Sequence, residues 1–102
     1  MTYFETMCRA YGLPKPVPEY QFHASRKWRT DYYFEANGVK IAVEIEGGVW
    51  TQGRHTRGKG FVADMEKYNQ YAILGILLLR FTPDDLKKSA TYEIIKEVLT
   101  NV

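Results

Sequence analysis

Three carboxylates, Asp31, Glu44 and Glu46, are the side chains of this 102-residue chain whose types and spacing best suit chemistry. They flank Asn37-Gly38, a pair that favours the type I′ turn of a two-residue β-hairpin. With that turn the numbers of opposite residues sum to 75, so Asp31 lies opposite Glu44. Two opposite carboxylates have Cβ atoms about 4.5–5.5 Å apart and repel each other. Either a divalent cation bridges the pair and removes the repulsion, or the face is exposed and water screens it.

The predicted hairpin that carries these carboxylates runs from Trp28 to Gly48. Side chains alternate across a strand, so one face is apolar and is expected to meet the core. That face consists of Trp28, Thr30, Tyr32, Phe34, Val39, Ile41, Val43 and Ile45. The other face carries the carboxylates and two expected opposite-charge pairs, Glu35 with Lys40 and Arg29 with Glu46.

Basic residues surround this acidic centre. Between Ser25 and Gly60 there are seven Lys or Arg residues and four acids, and all four acids lie in the hairpin. Such a basic rim suits a polyanion whose phosphates bind the Lys and Arg residues while a metal ion acts at the acidic centre. The segment Gly47–Gly60, GGVWTQGRHTRGKG, is predicted to be a functional loop rather than a plain basic linker. The predicted DNA-binding residues are Arg26, Lys27, Trp50, Arg54, Arg57 and Lys59.

Trp50 leaves two interpretations open: its indole stacks on a base, or it anchors the loop on the protein body. The loop lacks both the GxGxxG and the GxxxxGK[ST] patterns, which argues against binding of a dinucleotide or ATP.

The N-terminal third is predicted to contain one helix and one strand. Apolar residues at helical spacing indicate an amphipathic helix from Thr2 to Tyr11, with Thr2 and Glu5 forming a capping box. After a proline-rich connector, the alternating segment Glu19–His23 predicts a first strand at the edge of a sheet.

The second half is predicted to form a helix, a strand and a further helix. The first helix covers Phe61–Leu74 and has an inward stripe of Phe61, Met65, Tyr68 and Ala72. Asp64, Lys67 and Tyr71 lie on the flank of that stripe, toward the acidic face of the hairpin. The apolar run Ile76–Phe81 predicts a strand buried on both faces, and Thr82 begins a helix that continues to the tail. A strand, a helix and a parallel strand form a crossover, so the expected sheet is mixed.

Length and composition predict a single domain over residues 1–102, with a net charge of +2. No stretch of 18 apolar residues is present, so no membrane span is expected. The N-terminus lacks a signal-peptide pattern, and the single cysteine suits a reducing compartment. We therefore expect a cytoplasmic protein, and the family resemblance given below implies a bacterial or phage-infected host cell.

The order of elements resembles the minimal core of the PD-(D/E)XK nuclease superfamily. The resemblance rests on Asp31 in the first hairpin strand and on Glu44-Ile45-Glu46 in the second. The segments VEIEGG, RHTRGKGF and GILLLRFTPDDL are similar to those of very-short-patch-repair-like endonucleases and small phage-type nucleases. The resemblance covers about residues 19–86 and implies a restriction-endonuclease-like core. This is an α/β (α+β) fold, with a mixed central sheet of about four strands flanked by helices.

The same resemblance assigns roles to individual residues. Asp31, Glu44 and the backbone carbonyl of Ile45 would bind Mg²⁺ or Mn²⁺. Glu46 stands where the superfamily usually has lysine, so the missing positive charge must come from Lys67, Lys59 or His55, and a helix holds Lys67 most rigidly. The catalytic residues implied are Asp31, Glu44, Glu46, Lys67 and His55.

These features predict a metal-dependent deoxyribonuclease that hydrolyses DNA phosphodiester bonds in repair, recombination or phage DNA processing. Glu46 in the lysine position also suits an alternative, a non-catalytic DNA-binding module on a nuclease-like fold. A third possibility is a small structural or partner-binding domain in which the acids are ordinary surface residues and bind no metal. DNA is the expected partner, and a homodimer through an edge strand near Glu19–His23 is a further hypothesis.

Overall fold

The computed structural model describes residues 1–47 and 59–100, and of residues 59–61 it describes the backbone alone. Four strands form one sheet in the order β1-β2-β3-β4. Three α-helices and a short 3₁₀ helix accompany it, so the described chain has an α+β fold. The elements in chain order are α1 (Tyr3–Ala10), β1 (Val17–Gln21), β2 (Arg29–Ala36), β3 (Val39–Ile45), α2 (Lys59–Ile73), β4 (Ile76–Phe81), the 3₁₀ helix (Pro83–Lys87) and α3 (Ser89–Thr100).

The first helix begins as predicted. The Thr2 side chain accepts a hydrogen bond from the Glu5 backbone N–H, and the Glu5 carboxylate accepts one from the Thr2 N–H. This reciprocal capping box satisfies two donors that a helix N-terminus otherwise leaves open. The helix buries Phe4 and Cys8 against the sheet.

The central hairpin has the predicted turn and register. Asn37 and Gly38 both have positive φ, 54° and 78°, as a type I′ turn requires. The ladder between β2 and β3 runs from Ala36 opposite Val39 to Tyr32 opposite Val43. Each pair sums to 75, so the prediction from the Asn-Gly turn is confirmed over this part of the hairpin.

The crossover from β3 through α2 to β4 makes the sheet mixed, because β4 pairs with β3 in parallel while the other neighbours are antiparallel. The prediction that β4 is buried on both faces is wrong. It is an edge strand, and Leu77 in it is 53% exposed. A continuous apolar run does not distinguish a central strand from an edge strand whose outer side is open.

The sheet has a hydrophobic core on each face. On one face α1 and α3 cover the predicted apolar positions of the hairpin, including Phe34, Ile41 and Val43. On the other face, Tyr33 and Ala42 of the hairpin pack with Tyr71 of α2. The carboxylate-bearing side of the hairpin is therefore partly covered by a helix.

The predicted inward stripe of α2 is confirmed at Tyr68 and wrong at Met65 and Ala72. Met65 is 51% exposed and Ala72 is also exposed, whereas Tyr68 and Tyr71 face the sheet. The side chain of Phe61 is outside the described residues. Tyrosine carries a large ring and a polar tip, so counting Tyr71 as a flank residue displaced the predicted buried face.

Two other boundaries differ from the sequence-based expectation. The first strand is Val17–Gln21 rather than Glu19–His23, so His23 lies in the turn that follows it. The predicted last helix is split, because Lys88 has an extended backbone (ψ 133°) between the 3₁₀ helix and α3.

Side chains fasten both α1 and α3 to the hairpin. The Thr2 hydroxyl and the Tyr32 hydroxyl are 2.7 Å apart, and the Asn37 amide donates to the Leu99 carbonyl at 3.0 Å. None of the helices in the described ranges has the length and apolarity needed to cross a bilayer.

Candidate functional site

Glu44 on β3 is the centre of the candidate site. It is 6% exposed and is the only buried charged residue among those whose side chains the structure describes. Lys67 donates to its Oε2 at 2.8 Å, and the Tyr71 hydroxyl donates to the same oxygen at 2.6 Å. A buried carboxylate is costly unless a cation and hydrogen-bond donors satisfy it, and α2 supplies both.

Tyr71 keeps its proton under all ordinary conditions. Its ring is 1% exposed, and burial raises the pKa of its hydroxyl far above the usual value, with the hydrogen bond to Glu44 as a further cause. The phenol is therefore a permanent donor to the carboxylate. The ammonium of Lys67 also lies 5.9 Å from the centre of the Tyr71 ring.

Asp31 on β2 binds the backbone of β3 beside Glu44. Its Oδ2 accepts a hydrogen bond of 2.7 Å from the N–H of Ile45, in the peptide that joins Glu44 to Ile45. The neighbouring Thr30 hydroxyl donates to the Val43 carbonyl at 3.3 Å. The backbone pairing of β2 with β3 ends at Tyr32 and Val43. Beyond that pair the side chains of Thr30 and Asp31 link the two strands.

The predicted pairing beyond this point is therefore wrong. The side chain of Arg29, expected to pair with Glu46, instead donates to the carbonyl of Glu19 at 3.3 Å. Glu46 is bound by Arg80 of β4, whose Nη2 donates to it at 3.0 Å, and by the Tyr68 hydroxyl at 3.4 Å. The hydrogen bond to Glu46 raises the pKa of Arg80 above its usual value.

The other predicted opposite-charge pair has the expected register. Glu35 lies opposite Lys40. The described contact of the Glu35 carboxylate is with the Tyr33 hydroxyl, which donates to it at 2.8 Å. Glu35 is exposed and lies at the end of the hairpin away from Glu44.

A row of aromatic rings leads from the site to the turn between β1 and β2. Tyr68 and Tyr71 are near-parallel with ring centres 6.1 Å apart, and Phe22 stacks on Tyr71 at 4.3 Å. Trp28 follows at 6.2 Å from Phe22, and the guanidinium of Arg26 lies 3.9 Å above its ring. These contacts place the turn next to α2.

The same turn is held by two further polar contacts to α2. Arg26 forms an ion pair with Glu66, and His23 Nε2 lies 3.2 Å from the Gln70 side-chain oxygen. The other ring nitrogen of His23 accepts from the backbone N–H of Arg26 at 3.1 Å. Lys27, between Arg26 and Trp28, is exposed.

Several predicted site residues cannot be placed. Trp50, Arg54, His55 and Arg57 lie outside the described residues. Lys59 is the first residue of α2, but its side chain is likewise outside them.

The donor set around Glu44 suits a hard cation. Asp31, Glu44 and the Ile45 carbonyl offer oxygen atoms only, as Mg²⁺ and Mn²⁺ prefer. Within residues 1–47 and 59–100, no three His, Cys, Asp or Glu side chains lie close enough to hold a metal ion. The candidate ligands Asp31, Glu44 and the Ile45 carbonyl contain only two such side chains, because the third ligand is a backbone group. Of the hydrogen bonds between described residues, those to Glu44 end on Oε2 and the one to Asp31 on Oδ2.

No protein-family model matches the chain, and no match was found among curated proteins or among solved structures. The site is therefore interpreted from its geometry and from the residues themselves.

Three residues of the site were not assigned by sequence: Tyr68, Tyr71 and Arg80. A signal for Arg80 was available, because it is the single charge in the apolar run ILLLRF. The parallel register puts it beside Glu44, and its side chain reaches Glu46. The helical pattern placed Tyr71 on the side of the acidic face but gave it no role, and it placed Tyr68 in the packed stripe.

Proposed function

We propose that this protein is a metal-dependent DNA endonuclease with a restriction-endonuclease-like core. The mixed four-stranded sheet with helices on both faces is compatible with that core. The observation that carries the proposal is Glu44, a buried carboxylate that receives donors from Lys67 and Tyr71 while Asp31 binds the adjacent peptide. A buried ion pair of this kind contributes little net stability compared with apolar packing, and such groups cluster at functional sites, which favours a functional role for Glu44.

Asp31, Glu44 and the carbonyl of Ile45 are the groups proposed to hold Mg²⁺ or Mn²⁺. When bound, such an ion polarises a phosphate and lowers the pKa of a water molecule. The hydrogen bonds from Ile45 N–H and Tyr71 fix one oxygen of each carboxylate. Because the carboxylates are oriented beforehand, less reorganisation is needed when a ligand binds.

Lys67 is the residue proposed to supply the positive charge that Glu46 does not. Its ammonium lies 2.8 Å from Glu44, and its side chain is only 15% exposed. A cation in such a place stabilises negative charge that develops on a phosphate during attack. Lys67 lies well inside α2, whereas Lys59 is the first residue of this helix, so the helix fixes Lys67 more firmly.

Glu46 is proposed to orient the attacking water. Arg80 and Tyr68 hold its carboxylate at the end of β3. His55 is proposed to protonate the leaving oxygen or to contact a phosphate. The proposed phosphate contacts are Arg26, Lys27, Arg54, Arg57 and Lys59, with Trp50 stacking on a base or anchoring the loop. The proposed setting is DNA repair, recombination or phage DNA processing in the cytoplasm.

The test is cleavage of labelled linear, nicked, single-stranded and four-way-junction DNA with Mg²⁺, with Mn²⁺ and with EDTA. We expect metal-dependent cuts that Glu44→Ala abolishes, while DNA binding is retained because the change removes negative charge. Glu35→Gln is the matched control, since Glu35 is an exposed carboxylate on the same hairpin. Cleavage by Glu44→Ala at the wild-type rate would show that the site is misassigned.

A non-catalytic DNA-binding module is the second candidate. The observation in its favour is Glu46. This residue stands where the nucleases that the chain resembles usually have lysine, and its carboxylate already binds Arg80. This candidate predicts salt-dependent binding of DNA and no cuts with either metal. The same set of reactions therefore separates the two candidates.

A further inference from the structure

One edge of the sheet, formed by β4, is apolar and accessible. Three large apolar side chains are exposed in β4 or just before it: Ile73 at the end of α2 by 70%, Leu74 in the following turn by 40% and Leu77 in β4 by 53%. The segment from Ile73 to Leu79 contains no charged residue. An uncharged, apolar edge strand is a ready template for pairing with another strand.

The opposite edge, β1, carries features that hinder such pairing. Pro18 lacks a backbone donor, and Glu19 is exposed with a φ of +49° that interrupts regular strand geometry. Proteins commonly protect an edge with proline, charge and irregular backbone. The earlier hypothesis of a dimer through the segment Glu19–His23 is therefore disfavoured, and the contrast singles out β4.

The backbone of β4 is suitable for a second strand. The Phe81 carbonyl accepts from the N–H of Glu46, so Phe81 directs its backbone groups toward β3. Backbone groups alternate in direction along a strand, so those of Ile76, Leu78 and Arg80 point to the outer side. They are the donors and acceptors that a partner strand would use.

We propose that a second copy of this chain docks on β4 in an antiparallel, two-fold arrangement centred on Leu77. Residues opposite each other in an antiparallel pair point to the same face, so a two-fold axis can pass between Leu77 and its copy in the second chain. Ile76 then pairs with Leu78 of the second copy through the outward backbone groups. Arg80 falls opposite the second copy's Leu74, so the two Arg80 guanidinium groups are kept apart.

An apolar, self-complementary strand fits a second copy better than a charged partner would. The two edges then close into one continuous eight-stranded sheet, and the exposed Leu77 side chains cover each other. Closure by two-fold symmetry also limits assembly to two chains, because the β1 edges that remain outside are protected.

The first test is molecular mass, measured by light scattering over a concentration series. We expect a mass of twice the 11.9 kDa of one chain. Leu77→Lys should raise the dissociation constant by at least about tenfold, because it places two charges at the axis. Val17→Lys is the matched control at the other edge, where Val17 is 46% exposed, and should leave the dimer intact.

A second test reports the register. Leu77→Cys should form a disulfide between chains on mild oxidation, since opposed residues of a non-hydrogen-bonded pair have Cα atoms about 4.5 Å apart. Cys8 should not interfere, because it is fully buried and burial raises the pKa of its thiol to about 12. The control Val17→Cys should remain unlinked.

A mass of one chain at every concentration, or equal weakening by Leu77→Lys and Val17→Lys, would overturn the proposal. So would masses that grow beyond two chains. These readouts do not depend on DNA cleavage, so the dimer and the proposed nuclease can fail independently.

Discussion

Lys67 on α2 donates a 2.8 Å hydrogen bond to Glu44 on β3, and the two side chains are only 15% and 8% exposed. Removing one partner of a pair withdrawn from water leaves the other charge uncompensated. We expect Lys67→Met to lower the free energy of unfolding by about 2–3 kcal/mol, less than for a fully buried pair because Lys67 keeps some water contact. Urea denaturation at neutral pH measures this loss.

The double variant Lys67→Met/Glu44→Gln is the control for that interpretation. It removes both charges together, so it should be more stable than Lys67→Met alone. If the single and double variants unfold at the same urea concentration, the two charges are not coupled as the geometry implies. Both variants should also lack DNA cleavage if the proposed nuclease site is correct.

Tyr71→Phe tests the second donor to Glu44. The change keeps the ring that packs between α2 and the sheet and removes the hydroxyl 2.6 Å from Oε2 of Glu44. A hydrogen bond to a charged group is worth about 1.5–3 kcal/mol, so the variant should lose an amount in this range. Tyr20→Phe serves as the control, because the Tyr20 hydroxyl bonds to no described residue although its ring stacks on Tyr33. Equal losses in both variants would contradict a specific role for the Tyr71 hydroxyl.

Glu46→Lys reverses the charge at the position that Arg80 binds. In this chain the new lysine would face Arg80, which binds Glu46 at 3.0 Å. The pair is partly exposed, so we expect a loss of stability of only about 1 kcal/mol. Glu46→Lys/Arg80→Glu should recover that loss by reversing the pair. Thermal unfolding of the three proteins checks the sign, and no recovery in the double variant would show that charge is not the cause.

The carboxylate of Asp85 predicts how the stability of the protein changes at acidic pH. The backbone N–H of Thr82 donates to its carboxylate at 2.9 Å and, with Lys88, lowers its pKa below the ordinary 3.8. A carboxylate whose pKa is lower in the folded than in the unfolded protein stabilises the fold at pH values above its unfolded-state pKa. This contribution is lost as the pH falls through the folded-state pKa. Asp85→Asn should therefore be less stable than wild type at neutral pH, and the difference should shrink as the pH falls below the ordinary 3.8. A difference in stability between Asp85→Asn and wild type that is the same at every pH would contradict this prediction.

The hairpin and the first helix were predictable because local chemistry specifies them. Asn37-Gly38 fixes the turn and thereby the register, and Thr2 with Glu5 fixes the start of α1. These signals need no knowledge of the rest of the chain. The parallel arrangement of β4 also followed, since a strand, a helix and a strand rarely connect in another way.

The partners of the carboxylates were harder to predict because they depend on tertiary contacts. The register placed Asp31 opposite Glu44, but the backbone ladder gives way to side-chain contacts before that pair is reached. Lys67 was correctly expected on the side of α2 near the acids. Arg80 lies 34 residues from Glu46 along the chain, and only the parallel alignment of β4 with β3 brings them together.

The fastening of two distant helices to one hairpin has a consequence for folding kinetics. The hydroxyls of Thr2 and Tyr32 meet across 30 residues of chain, and Asn37 binds the carbonyl of Leu99 across 62. Contacts between such distant segments are slow to form, because the entropy of loop closure is lost before the contact compensates for it. We therefore expect the docking of α1 and α3 on the hairpin to be slow compared with formation of the Asn37-Gly38 turn. The slow step of folding is then set by chain topology rather than by the local preference of the turn.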